Sequence, residues 1–350
     1  MIEGLVSVVM PCFNTARYVT EAVASILAQT HRDFELIAID DGSTDGTVAA
    51  LQGIADPRLQ IIRNSTNLGI VETLNIGVAE ARGEFVARMD ADDVALPQRF
   101  ERQVAFLRRN IEFAAVGTGV SYMDEHGAAQ RSPRLPPNSN MNLRWRLLLG
   151  NCVHHPTIMF RRSQLSLPVY SSVYPDIEDY ELFLRLAVAG VLANMPERLL
   201  RMRRHGLSVS GQRHHAQLDS AAMLLHRHCA AEYGLAVTAT EFRGVLDPLS
   251  WLHPKRSVGT AFAAVDNPVT TVRRLRSAFA GKHPGLDHSE VTNIDDDQAF
   301  FLAKVLSSAI AGSNEASLAR RLKLSLSAAT ACLCSPRATL RAVQQDRSRQ

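Results

Sequence analysis

Apolar and polar positions alternate between two periods over the first 110 residues. Continuous apolar runs rich in β-branched residues are typical of buried parallel strands. Between them lie segments with an apolar residue at every third or fourth position, which is typical of helices that pack on a sheet. Strands are predicted at residues 6–10, 36–40, 59–63 and 84–89, and helices at about 18–27, 44–55, 70–81 and 97–110. This alternation predicts an α/β fold with a mostly parallel central sheet and helices on both faces.

The rest of the chain divides into a mixed segment and a helical one. Strands are predicted at residues 114–120 and 157–160, and helices at 140–149 and 177–189. From about residue 212, alanine, leucine and histidine dominate and the pattern predicts helices to the end, with breaks near 248–254 and 266–268. Asp295–Asp297 is interpreted as a solvated face or a helix start. We therefore predict an α/β domain over residues 1–212 and an α-helical C-terminal extension of unknown role over residues 213–350.

Composition narrows the class of protein. Of the 350 residues, 46% are hydrophobic and 21% are charged, which is ordinary for a globular chain. The net charge of +3 is too balanced to indicate a nucleic-acid partner. Five cysteines without a CxxC pair favour a reducing compartment over a disulfide framework or a zinc ribbon. The longest uncharged stretches are shorter than the ~18 residues that a membrane span needs, and no basic segment precedes an apolar start. We expect a cytoplasmic protein.

Acidic clusters follow two of the predicted strands. Asp40 and Asp41 open the sequence DDGSTD after the second strand, and the sequence DADD, Asp90–Asp93, follows the fourth. Ligands of open α/β sheets bind beyond the carboxyl ends of the strands. Carboxylates this close repel one another unless a cation or water surrounds them, and Mg²⁺ or Mn²⁺ commonly joins such groups to substrate phosphates. A metal site and an acidic turn that caps the next helix both fit this cluster alone.

A partial glycine-rich pattern and a histidine pair give weaker indications of function than the acidic clusters do. Gly117 and Gly119 begin a dinucleotide-binding pattern, but its third glycine is missing and no phosphate-binding GxxxxGK[ST] loop occurs. His154 and His155 fit a phosphate or metal site as well as a buried, hydrogen-bonded pair. The sequence therefore disfavours a Rossmann dehydrogenase and a P-loop enzyme.

The order of the motifs is more informative than any one of them. VSVVMPCFN at 6–14, LIAIDDGSTDGT at 36–47, NLGI at 67–70 and GEFVARMDADD at 83–93, then Pro97 and Arg99, resemble glycosyltransferase family 2. The resemblance continues more loosely through NCVHHPTIMFRR, PDIEDYELFLRL and RRHGLSVS, which ends at residue 210. It implies the GT-A fold for residues 1–212. It also implies an inverting, metal-dependent transfer of one sugar from a nucleotide-diphosphate donor to an acceptor hydroxyl.

The resemblance also implies partners and residue roles. The expected donor is a UDP-sugar, with a dTDP-sugar second, and the acceptor is a glycan or lipid-linked saccharide of cell-surface polysaccharide biosynthesis. The general base is expected at Asp179 together with Glu178, and the ligands of Mn²⁺ or Mg²⁺ at Asp92 and His205. The residues expected to line the nucleotide site are Pro11, Phe13, Asn14, Asp41, Asp90 and Ala91.

Departures from the family and competing interpretations remain. Processive members carry QxxRW after the base, whereas here the RW pair, Arg144-Trp145, precedes Asp179 and has Met141 at the glutamine position. This favours addition of a single sugar. The alternatives are a nucleotidyltransferase, whose glycine-rich loop is missing after the first strand, and a sugar-nucleotide-binding pseudoenzyme. Peripheral membrane contact through the C-terminal helices also stays open, since basic residues flank an apolar core at 320–341.

Overall fold

The computed structural model describes residues 1–174, 176–206, 214–247 and 268–311, without the side chains of residues 214, 299–300 and 302–311. The chain forms two compact units. Unit 1 contains residues 1–143 and 152–213, and unit 2 contains residues 144–151 together with the chain from residue 214 onward. The segment 320–341 lies outside the described residues. Among the described helices, none is long and apolar enough to cross a membrane.

The nine strands in the described part of the chain form one sheet. Its order is β3-β2-β1-β4-β8-β6-β9-β5, with β7 paired to β6. Strands β1 to β4 are mutually parallel neighbours, β6 is parallel to β9, and the remaining pairs are antiparallel. The strands are β1 (Ile2–Cys12), β2 (Phe34–Asp40), β3 (Leu59–Arg63), β4 (Gly83–Arg88), β5 (Val94–Ala95), β6 (Ala115–Met123), β7 (Ala129–Gln130), β8 (Met159–Arg161) and β9 (Leu192–Arg203). The predicted α/β class is confirmed.

Helices cover both faces of the sheet. Successive residues of a strand point to opposite faces. Val8 of β1 belongs to the core cluster that contains residues of α1 and α4, whereas the neighbouring Val9 lies against α3. The helices of unit 1 are α1 (Val19–Leu27), α2 (Thr47–Gln52), α3 (Ile70–Glu80), α4 (Arg99–Arg109), the first half of α5 (Asn140–Leu147) and α6 (Glu178–Val188).

Two predictions at this level were wrong. Thr44, predicted as the N-cap of the second helix, does not cap it: α2 spans Thr47–Gln52 with Gly46 at the N-cap position, and the Thr44 amide donates to Oδ1 of Asn14 at 2.9 Å. The Asp45 carboxylate instead accepts from the amide of Thr47, the first helical residue, at 2.9 Å. The 12-residue strand β9 was not predicted at all.

Unit 2 contains four helices within the described residues, as the helical pattern predicts. They are α7 (His214–Tyr233), α8 (Ala239–Leu246), α9 (Pro268–Lys282) and α10 (His288–Ala311). Trp145, in the second half of α5, is fully buried in this unit, and its ring meets the ring of Phe279 edge-on at 5.6 Å. Asp297 is buried within α10 and its Oδ1 lies 3.1 Å from Nη1 of Arg146. The interpretation of Asp295–Asp297 as a solvated face is therefore wrong for Asp297.

Candidate active site

Three of the predicted motifs meet at one edge of the sheet. Strand β1 lies between β2 and β4, and all three run in the same direction. Cys12 at the end of β1 pairs with Asp40 at the end of β2, and the Met89 amide after β4 donates to the Val9 carbonyl at 3.1 Å. The turns that follow these strands therefore lie side by side, where ligands of open α/β sheets bind.

The DADD turn concentrates negative charge. Asp90, Asp92 and Asp93 each offer a carboxylate oxygen, and these oxygens all lie within 4.8 Å of one another. Burial and the neighbouring carboxylates raise the pKa of Asp93 well above its usual range, and burial also raises the pKa of Asp90. Oδ2 of Asp93 is buried and has no hydrogen-bond partner in the described part of the chain. Such clustered hard oxygen donors fit a divalent cation such as Mg²⁺ or Mn²⁺.

The end of β9 holds this turn. The Arg203 amide donates to Oδ1 of Asp93 at 2.8 Å, and its Nε donates to the Asp92 carbonyl at 2.9 Å. His205 follows two residues later, and its Nε2 lies 2.9 Å from Oδ2 of Asp92. The ring of Tyr18 lies under both residues, 5.1 Å from the His205 ring and 4.6 Å from the Arg203 guanidinium. The structure thus brings the predicted metal residues Asp92 and His205 together.

The residues predicted for the nucleotide line the neighbouring turns. Asn14 adopts a positive φ of 52°, and its amide donates to the hydroxyl of Ser43, which joins the end of β1 to the DDGSTD turn. Phe13 is 46% exposed, which is unusual for an aromatic residue and leaves much of it accessible. Pro11 is half-buried within β1, and Ala91 is buried in the DADD turn.

Asp41 already has structural partners. Its Oδ1 accepts from the Asn64 side chain and the Leu68 amide, both at 2.8 Å, and its Oδ2 accepts from the Gly69 amide at 2.9 Å. Because a carboxylate has about four acceptor positions, one remains for a ligand. Asp40, which was not a predicted site residue, is completely buried and its Oδ1 has no partner within the described residues.

The predicted base residues occupy the first turn of α6. Glu178 is buried, whereas Asp179 is half-buried. Burial and the adjacent Asp179 raise the pKa of Glu178 to about 7. Burial raises the pKa of the nearby Tyr170 hydroxyl, and the negative charges of Glu178, Asp179 and Asp90 raise it further.

The histidine pair lies next to Glu178. His155 is buried, its Nε2 is 2.9 Å from the Tyr170 hydroxyl, and its Nδ1 is 3.9 Å from Oε1 of Glu178. Burial lowers the pKa of His154 to about 4 and that of His155 well below its usual range. The buried and hydrogen-bonded interpretation is confirmed for His155, whereas the His154 side chain is half-buried.

Sequence reasoning missed two basic residues of the site. Arg88 is buried at the end of β4, with Nη1 2.5 Å from Oδ2 of Asp90. Arg203 opens the segment RRHGLSVS, but it was not selected there, because arginines are scattered along the whole chain. The alternation of β4 could have identified Arg88, since a charged residue inside an apolar strand is unusual unless it is paired.

The arrangement fits transfer of a group from a phosphate ester. A cation held by the DADD turn could neutralise a diphosphate, and carboxylates across the same region could accept a proton from a nucleophile. Cys12 at the end of β1 is unsuited to act as a nucleophile, since it is buried and burial raises the pKa of its thiol.

Comparisons with known proteins identify the family of this chain. The profile described as Glycosyl transferase family 2 matches residues 7–166, so Asp179 and His205 lie beyond it. The chain is 34% identical over 228 residues to an uncharacterized glycosyltransferase of Haemophilus influenzae, covering 62% of this chain and 71% of that protein. It is 32% identical over 188 residues to the O-antigen biosynthesis glycosyltransferase WbnJ of Escherichia coli, covering 53% of this chain and 72% of that protein.

A solved structure shares the fold. TarS 1–349 of S. aureus, crystallised in complex with UDP, matches with a TM-score of 0.52 at 17% identity, over 87% of this chain and 88% of that one. The sheet and the helices on its faces form the GT-A fold that the motifs implied, and helices are present in the C-terminal region as predicted. The chain is a glycosyltransferase and belongs to glycosyltransferase family 2.

Proposed function

We propose that this glycosyltransferase moves one sugar, with inversion, from a nucleotide-diphosphate donor to an acceptor hydroxyl. The preferred donor in this proposal is a UDP-sugar, and a dTDP-sugar is the second choice. The observation that carries the proposal is the carboxylate cluster of the DADD turn, closed by His205 at 2.9 Å from Asp92 and adjacent to the ends of β1 and β2. TarS, which shares the fold, was crystallised with UDP.

Asp92 and His205 would hold Mn²⁺ or Mg²⁺, with Asp90 and Asp93 as further oxygen donors. The bound cation supplies positive charge that stabilises the departing diphosphate. Asp90 would stay oriented by Arg88, and Asp92 by Arg203 through its carbonyl. A pre-oriented set of ligands needs little rearrangement when the donor arrives.

The nucleoside would lie over the turns after β1 and β2. The accessible part of Phe13 can stack on a nucleobase, since every base presents a π-face. The remaining acceptor position of Asp41 can receive a hydrogen bond from the imide N–H of uracil or thymine or from a ribose hydroxyl. Pro11, Asn14 and Ala91 would shape the backbone around the nucleotide.

Asp179 would act as the base. An aspartate is ionised near neutral pH and can accept the proton of an acceptor hydroxyl as that oxygen attacks the donor sugar. The first turn of α6 holds it rigidly, because the following residues Leu182 and Phe183 are buried in the core of unit 1.

The acceptor would be a growing surface glycan or lipid-linked saccharide. WbnJ, a relative, is named for O-antigen biosynthesis, and a related acceptor fits this chain. Addition of a single sugar is favoured because the RW pair lies before the base, and its tryptophan is buried in unit 2. The helical region 213–350 is a separate domain in this proposal, and the enzyme works in the cytoplasm.

A thermal-shift screen tests the donor. UDP-glucose, UDP-N-acetylglucosamine, UDP-galactose, dTDP-rhamnose and GDP-mannose are each compared with and without Mn²⁺. A ligand that binds the native state raises the unfolding temperature by mass action, so the donor should give the largest Mn²⁺-dependent shift. No shift with any uridine or thymidine sugar would contradict the proposed donor.

Transfer itself needs a second assay. Membrane glycolipid extracts serve as acceptors, and release of the nucleoside diphosphate is followed together with the anomeric configuration of the product. We expect release that depends on the extract, and a product with inverted configuration. Donor binding without any release would favour the sugar-nucleotide-binding pseudoenzyme instead, and a retained configuration would exclude the inverting mechanism.

A further inference from the structure

Glu178 is a buried acid without a suitable partner. Its side chain lies in the first turn of α6, and the residue is 6% exposed. Oε2 makes no hydrogen bond within the described residues, and Oε1 lies 3.9 Å from Nδ1 of His155, which is too long for a hydrogen bond. An ionised carboxylate in this position would be costly, because burial of an unpaired charge is strongly unfavourable.

The groups around Glu178 do not neutralise a negative charge. His155, in the short helix His155–Thr157, is buried beside the Arg88 cation and stays neutral. Arg88 on β4 has its Nη1 on Asp90 at 2.5 Å, so its charge is already paired. Within α6 and the turn before it, Asp179 and Asp176 add negative charge near Glu178.

The orientation of the His155 ring next to Glu178 is fixed by a hydrogen bond on the far side of the ring. Nε2 of His155 and the Tyr170 hydroxyl are 2.9 Å apart, and the Tyr170 amide donates to Oδ1 of Asn75 on α3 at 3.0 Å. The imidazole therefore cannot turn away freely from Glu178, and it presents Nδ1 toward the carboxyl group. An uncharged carboxylic acid suits this neutral, buried position better than a carboxylate does.

We propose that Glu178 is a positioning residue that holds the proton of the Glu178–Asp179 pair, so that Glu178 is a neutral acid and Asp179 alone carries the negative charge. This inference rests on the proposed function, in which Asp179 is the base. Burial and the adjacent Asp179 raise the pKa of Glu178, which favours the protonated form. A neutral Glu178 keeps a second negative charge away from the bound diphosphate and from the carboxylate that must accept the proton.

Replacement by glutamine tests the protonation state directly. Glutamine copies the shape and charge of a protonated glutamate. At pH 6.5 we expect Asp179→Asn to lose at least about 100-fold in transfer rate, the usual contribution of a general base, and Glu178→Gln to lose far less than that. The control is Glu80→Gln, which changes an exposed acid of α3. A loss in Glu178→Gln as large as in Asp179→Asn would overturn the proposal.

Stability against pH gives a readout that needs no substrate. An ordinary glutamate ionises near pH 4.5, and Glu178 ionises near 7 in the folded protein. Between these values the unfolded chain has released the proton and the folded chain has kept it, so the wild type loses stability as pH rises through this window. The unfolding temperature of Glu178→Gln should therefore rise relative to the wild type between pH 5 and pH 8, by roughly 2–4 °C or more.

The two readouts separate the inference from the proposed function. If no nucleotide sugar supports transfer, the proposed function fails, while the pH dependence of the unfolding temperature still decides the protonation of Glu178. The inference would be contradicted if the unfolding temperature of Glu178→Gln differed from that of the wild type by the same amount at every pH from 5 to 8, as expected for Glu80→Gln. Failure of Glu178→Gln to fold would also contradict it, because glutamine is isosteric with the neutral acid.

Discussion

At the scale of single residues, Asp92 is held from two sides. Its Oδ2 lies 2.9 Å from Nε2 of His205, and its carbonyl accepts from Nε of Arg203 at 2.9 Å. The side chain is 24% exposed, so it can meet a ligand without rearrangement. Asp93, in contrast, is buried, and its Oδ1 accepts a hydrogen bond from the Arg203 amide at 2.8 Å. The Asp92 carboxylate is therefore accessible, whereas the Asp93 carboxylate is buried and anchors the turn to β9.

Removal of the Asp92 carboxylate should weaken metal-dependent donor binding. We expect Asp92→Ala to reduce UDP affinity in Mn²⁺ by at least about tenfold, because loss of a group at a metal site typically costs that much. Isothermal titration with UDP, with and without Mn²⁺, measures the effect. Asp33→Ala, at an exposed position of the same unit, is the matched control. Unchanged Mn²⁺-dependent affinity in Asp92→Ala would remove Asp92 from the site.

Some of these residues could be predicted from the sequence and others could not. Asp90 and Asp92 stand in a motif directly after a strand, so local order was enough to select them. Arg203 could not be selected, because its role depends on pairing between segments 110 residues apart in the chain. Asp41 was predicted as a ligand residue, but its three bonds to residues 64–69 arise from the close approach of two loops, which spacing alone does not reveal.

At the scale of elements, α3 lies unusually close to the sheet. A Cβ atom placed on Gly77 would come within 2.4 Å of Cγ1 of Val9 and 2.8 Å of Cδ1 of Ile39. Both partners are fully buried in the middle of the sheet and cannot move away easily. The absence of a side chain at residue 77 therefore sets the distance between this helix and strands β1 and β2.

An alanine at residue 77 should lower stability. We expect Gly77→Ala to reduce the free energy of unfolding by about 1–3 kcal/mol, the usual cost of overpacking a core, despite the better helix propensity of alanine. Gly53→Ala is the control, since its added Cβ would meet only ordinary contacts at 3.5 Å. Urea denaturation followed by circular dichroism compares the two. Equal stability of both variants would show that α3 shifts without cost.

Strand β9 shows where local pattern fails. Its sequence, LANMPERLLRMR, is rich in helix-forming residues and contains Pro196, so neither strand alternation nor β-propensity is present. The strand forms because it pairs with β6 over most of its length, with register shifts near Gly117 and Gly119. By contrast, β1 to β4 were predicted because each has its own apolar run.

At the scale of the whole molecule, the two units do not divide at a single point of the chain. Residues 144–151 belong to unit 2, although they precede α6 and β9 of unit 1. Within unit 2, Trp145 packs on Phe279 and Arg146 pairs with Asp297. The predicted boundary at 212 stays a prediction, but a cut there would separate Trp145 from these partners.

A chain that ends at residue 213 should therefore expose Trp145. Trp145 is the only tryptophan of that fragment, and the matched control is the full chain with Trp251→Phe. We expect the fragment to emit at longer wavelength and to be less soluble, because large exposed apolar surfaces favour association. Identical emission maxima would show that unit 1 buries this ring without the C-terminal helices.

The anchoring of the DADD turn by Arg203 has a consequence for biosynthesis. The ribosome makes the turn long before β9, since 110 residues separate Asp93 from Arg203. Until that strand has emerged and paired with β6, the nascent chain contains the carboxylates but neither the guanidinium nor the imidazole that orders them. Affinity for the donor should thus arise late in translation, when most of the sheet has already formed.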